Sequence, residues 1–70
     1  MRDTQKIRAW MAENRWGFSD IARALGMGHV THVWETVEAK RNSRKVLQWF
    51  IDNGCPTGYL GLPEWMKEAA

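Results

Sequence analysis

Apolar residues recur along the chain at helical spacing, and no stretch of useful length alternates as a strand would. Over residues 3–15, Ile7, Trp10 and Met11 share one face with Asn14 at its margin, while Lys6, Arg8, Glu13 and Arg15 lie largely opposite. Asp3 or Thr4 caps this first helix, because either side-chain oxygen can accept from the free N–H groups of the first turn. The Trp16-Gly17 pair ends it, since glycine removes the steric bar to a left-handed exit. A second, shorter helix follows over Ser19 to Leu25, with Ile21, Ala22 and Leu25 on one face, Ser19 as its cap and Asp20 set favourably against the dipole. Gly26 ends that helix and Gly28 opens the third, which runs from near His29 to about Ala39. Its Val30, Val33, Trp34 and Val37 fall at i, i+3, i+4 and i+7, the spacing of one buried stripe. Asn42 or Ser43 caps a fourth helix whose broad apolar face is Val46, Leu47, Trp49, Phe50 and Ile51. Gly54, Cys55 and Pro56 stop it. A short turn or helix at Thr57 to Leu60 and a final turn from Pro63 through Lys67 complete the chain. The pattern predicts an all-α, compact bundle of four to five short helices, with the first packed behind the next two.

At 70 residues the chain holds one domain, residues 1–70, whose core must be small. Five tryptophans are many for that length; Trp10, Trp34 and Trp49 stand at core spacings, whereas Trp16 and Trp65 flank breaks or lie near the end. The net charge of +2 permits a nucleic-acid partner without demanding one, so the placement of charge matters more than its sum. A single cysteine, Cys55, excludes an internal disulfide. With no run of transmembrane length and no apolar leader, the expected setting is the cytoplasm, with no membrane partner.

Two short helices across a glycine-marked turn form a helix-turn-helix, whose second helix can project from the body. On a wheel of about 100° per residue, the stripe of the third helix leaves His29, Thr31, His32, Glu35, Thr36 and Ala39 on the remaining faces, His32 and Ala39 most directly opposite. These are mostly short or planar hydrogen-bonding groups, suited to base edges in a major groove wide enough to admit a helix. The candidate base contacts are therefore His29, Thr31, His32, Glu35 and Thr36. The following KRNSRK run carries four cations at the junction with the fourth helix. Lys40, Arg41, Asn42, Ser43, Arg44 and Lys45, with Ser19 at the start of the second helix, are the candidate phosphate contacts.

The residues SDIARALGMG, with small Ala22 and turn glycine Gly26, resemble the lambda-repressor-like helix-turn-helix family of phage Cro and CI regulators. The likeness continues through the third helix and the polar connection into VLQWFIDNGCPTGYLGLP, and covers about Thr4 to Leu62. It departs at the Gly26–Val33 spacing, one residue longer than the family's, which sets His32 where a buried aliphatic is expected. It departs again at Ser19, where the family often has glutamine. The resemblance implies a homodimeric, operator-binding regulator of transcription, a repressor.

Other chemistry has little to stand on. His29 and His32 form an H-x-x-H pair, but a zinc site needs three or four ligands and no further pair accompanies them. Cys55 has no recognisable base beside it, and no phosphate-cradling glycine motif follows a strand. The expectation is a non-enzymatic protein without metal, cofactor or small-molecule substrate. The apolar end of the chain, Leu60, Leu62, Trp65 and Met66, either folds over the core or forms a two-fold interface, and self-association is the favoured reading of the 61–70 tail. The alternative function is a helical protein-interaction module on the same scaffold, docking a partner through Trp65 and Met66 or the histidine face.

Overall fold

The computed structural model describes residues 2–69, with side chains through residue 66. Among the described residues the chain is all-α, with six helices and no strand: α1 (Thr4–Glu13), α2 (Phe18–Ala24), α3 (Thr31–Val37), α4 (Arg44–Asp52), α5 (Thr57–Leu60) and α6 (Glu64–Ala69). None is long and apolar enough to cross a membrane. Helix α1 packs on α5 and α3, α2 on α3, and α3 on α4. Ile7, Trp10, Met11, Ile21, Val33, Val37, Val46, Leu47, Phe50, Leu60 and Met66 meet in one core. Edge-on aromatic contacts stiffen one side of it. Trp49 stands 4.7 Å from Trp16, 6.2 Å from Trp10 and 5.2 Å from Phe50, centroid to centroid. Such pairs contribute about 0.5–1.5 kcal/mol each beyond the area they bury.

Local signals set most boundaries. Asp3 caps α1 by accepting from the Lys6 N–H at 3.1 Å, and Ser43 caps α4 by accepting from the Val46 N–H. Helix α2 begins earlier than expected. Its cap is Gly17, whose N–H donates to the Asp20 carboxylate at 2.9 Å, so Ser19 lies inside the first turn rather than capping it.

The four longer elements end alike. In each, the residue after the C-cap turns left-handed and donates back three residues, and the next N–H donates back five: Arg15 and Trp16, Gly26 and Met27, Ala39 and Lys40, Gly54 and Cys55. This is the Schellman arrangement, which satisfies carbonyls that a helix end leaves orphaned. Two of the four left-handed residues are not glycine: Arg15 (φ 59°) and Ala39 (φ 62°). The left-handed exit of α1 is therefore made by Arg15 and not by Gly17, which is free to cap α2.

Helix α3 is rotated from the expected stripe. Val33, Thr36 and Val37 are its buried residues, while Val30 is 41% and Trp34 37% exposed. Val33 fills the buried position that the glycine spacing had set at His32. A six-residue connection, 25–30, precedes the helix, which starts at Thr31. The tail is likewise corrected: Leu60 (fully buried) and Met66 belong to the chain's own core, and Leu62 packs against it. Only Trp65, 47% exposed, is left outside among the four apolar residues assigned to self-association. Side chains of 67–70 lie outside the described residues.

Candidate nucleic-acid interface

With Val33, Thr36 and Val37 turned inward, steps of about 100° place Thr31, Glu35 and Glu38 on the outward line of α3, His32 on one flank and Trp34 on the other. His29, Thr31 and His32 are exposed, and with Met27 and Gly28 they line one concavity of about 430 Å³. The structure thus brings three of the five expected base contacts together. Glu35 is half-buried and its Oε1 stands 3.4 Å from Arg41 Nε. Thr36 does not belong to the surface at all. It is fully buried, and its hydroxyl donates to the His32 carbonyl at 2.6 Å, one turn back along the helix. Burial without an unsatisfied hydroxyl is possible because that carbonyl lies within reach.

The two carboxylates on the outward line of α3 each have their own cation. Glu38 Oε1 accepts from Arg8 Nη2 at 2.7 Å, as Glu35 pairs with Arg41. Both pairs are partly open to solvent, so they cancel charge more than they stabilise the fold.

The basic connection is more differentiated than a run of solvated charges. Lys40 Nζ sits 4.7 Å from the centroid of the Trp34 ring, an arrangement in which the ring's negative face attracts the ammonium. Asn42 Oδ1 accepts a hydrogen bond from Arg2, and Ser43 is occupied as the α4 cap. Arg44 and Lys45, on the first turn of α4, are exposed and make no hydrogen bond or ion pair among the described residues. They line a groove of about 520 Å³ with Leu25, Gln48, Trp49 and Asp52. Leu25, the first residue after α2, lines this groove, while Met27 and Gly28 of the same connection line the His29–His32 concavity. Ser19 is exposed on α2.

Arg2 is the residue that sequence reasoning passed over. Its Nε donates to the Leu60 carbonyl at 2.6 Å. Nη1 donates to the carbonyls of Thr36 and Arg41, both at 3.0 Å, and Nη2 to Asn42 Oδ1 at 2.8 Å. Partial burial pushes its pKa down from the ordinary arginine value, though arginine keeps its proton at any ordinary pH. An arginine near a chain end reads as a solvated charge. Its acceptors lie 34 to 58 residues away, beyond any local pattern.

His, Cys, Asp and Glu do not gather in groups of three or more that could hold a metal ion among the described residues. Cys55 is buried against the core, and burial pushes its thiol up to about 11. No protein-family model, curated protein or solved structure matches the chain significantly.

Proposed function

We propose that this protein is a non-enzymatic, sequence-specific double-stranded DNA-binding regulator of transcription, a repressor of the phage lambda type working in the cytoplasm. The observation that carries this reading is a pair of surfaces that both take residues from the α2–α3 connection. One presents the exposed hydrogen-bonding groups of His29, Thr31 and His32; the other presents Arg44 and Lys45, without partners among the described residues. Imidazole and hydroxyl groups at the start of a projecting helix suit base edges, and unpaired cations beside it suit phosphates. Lys40, carried above Trp34, adds a further cation beyond the end of α3. A two-fold operator would be read by two copies of the chain. Trp65 is the tail residue available for their contact.

The test is a binding selection with the purified chain on a randomised duplex library at low and near-physiological salt. Enrichment of a two-fold site supports the dimeric repressor, and a single unpaired site supports DNA reading by one copy. Retention that enriches no sequence and vanishes with salt would leave only generic charge and sink the proposal. On an enriched duplex, Arg44→Ala should weaken binding to all sequences alike and lower the salt slope by about one.

A second reading, a protein-docking module, is favoured by Val30, the N-cap of α3, and Trp34 one turn on, both apolar and exposed. It predicts partner binding that persists when no duplex is retained.

A further inference from the structure

We infer that Arg2 is the positioning residue of the cationic surface: it locks the α3–α4 connection in the one conformation that presents Arg44 and Lys45. The inference rests on the DNA-binding reading and deepens it, by naming the group that shapes the phosphate contact without making it.

The geometry is that of a clamp. The guanidinium gathers three acceptors from one end of the connection to the other: the Thr36 carbonyl in the last turn of α3, the Arg41 carbonyl, and the Asn42 side chain just before the α4 cap. Its Nε is anchored at the opposite wall, on the Leu60 carbonyl at the end of α5. Thr4 adds a second tie beside it, donating through Oγ1 to the Val37 carbonyl at 2.8 Å.

Within the connection, Ala39 and Lys40 are held by the Schellman bonds of α3, and Ser43 by its cap. Between those anchors, the only hydrogen bonds to the Arg41 carbonyl and the Asn42 side chain among the described residues come from Arg2. These two positions set the path from Lys40 to Arg44. Charge alone would not do this. The planar fork of arginine offers five N–H donors in fixed directions, whereas lysine offers three from a single point at the end of a flexible stem.

This difference supplies the test, because Arg2→Lys preserves net charge. The full-length chain is titrated with a random-sequence duplex over a range of salt, alongside Arg2→Lys, Asn42→Ala, the double variant Arg44→Ala/Lys45→Ala, and that double variant combined with Arg2→Lys. Each is compared below its own melting temperature by circular dichroism, so that affinity is read on folded protein. Arg2→Lys should bind roughly tenfold more weakly with a salt slope lower by about one, the size of one lost phosphate contact. Asn42→Ala, which leaves the rest of the clamp in place, should shift affinity in the same direction by less. Arg2→Lys should cost nothing further once Arg44 and Lys45 are gone, since it acts through them.

Affinity of Arg2→Lys within twofold of wild type would overturn the inference. So would an equal loss in the Arg44→Ala/Lys45→Ala background, which would make Arg2 an independent contact. A readout free of DNA accompanies the titration: amide exchange should quicken at Ala39 and Lys40, the hydrogen-bonded N–H groups where the connection leaves α3, in Arg2→Lys while the α1 and α4 interiors keep their protection. Unchanged exchange there would also overturn it. Failure of the wild-type chain to bind any duplex would instead bring down the DNA reading, and that outcome is visible before any variant is made.

Discussion

Four helix ends of one geometry, two closed by glycine and two not, allow the energy of a left-handed residue to be measured twice in each direction. Ala39 holds φ 62° and Arg15 φ 59°, in the region where a Cβ crowds the following carbonyl. That conformation costs a non-glycine residue about 1–2 kcal/mol, against which glycine loses about 0.5–1 kcal/mol more backbone entropy on folding. The net expectation for Ala39→Gly is a gain of about 0.5–1 kcal/mol, or a melting temperature raised by about 3–6 °C for a domain of this size. The reverse substitutions are equally clean. A Cβ at Gly26 (φ 70°) or Gly54 (φ 90°) would meet nothing within 4 Å, so Gly26→Ala and Gly54→Ala should report backbone strain without a clash. Gly26→Ala should destabilise by the amount Ala39→Gly gains. Gly54→Ala should cost more, because φ 90° lies further from the left-handed minimum at about +57°. Urea unfolding followed by tryptophan fluorescence measures all of them, and Arg15→Gly should add to Ala39→Gly because the two helix ends share no partner. Ala39→Gly coming out destabilising, with Gly26→Ala neutral, would refute the assignment of these ends as equivalent.

Three further outcomes follow from particular residues. On an enriched duplex, His32→Ala should relax base preference while Thr36→Val, confined to the core, leaves the selected sequence unchanged; the opposite result would restore the unrotated α3. Leu60→Ala should cost about 2–5 kcal/mol, equally at low and high protein concentration, because the side chain is buried in its own chain. A loss confined to high concentration would return Leu60 to an interface between copies. Burial raises the Cys55 thiol from 9.0 to about 11, so the folded state disfavours the thiolate. Its contribution is therefore complete below pH 9 and is lost as pH climbs toward 11, a decline that Cys55→Ala should abolish in urea midpoints measured across that window.

The division between local and distant causes runs through individual helices. The apolar spacing of α1 and α4, the Gly26 and Gly54 exits and, to within one residue, the caps at Asp3 and Ser43 are legible along the chain, because each depends on residues within a turn or two. The all-α class follows from the same periodicity. The third helix was harder to orient. A stripe of Val30, Val33, Trp34 and Val37 is the most hydrophobic choice, yet the structure buries Val33, Thr36 and Val37. The two choices differ by a fraction of a turn, and packing decided between them: Thr36 satisfies its hydroxyl within the helix and is small enough to lie against its neighbours. Trp34 remains at the surface beneath Lys40.

The same holds for the candidate interface. Sequence by itself determined which polar groups lie near the α2–α3 turn and that cations follow α3, since both are facts of order along the chain. It also determined that the tail is apolar. Only the tertiary structure decided that Leu60 and Met66 complete their own core, that Thr36 turns inward, and that Glu35 and Glu38 carry their own arginines. Arg2 marks the boundary most sharply: its four acceptors come from three separated segments, which no periodicity connects and only the folded chain brings within hydrogen-bonding distance.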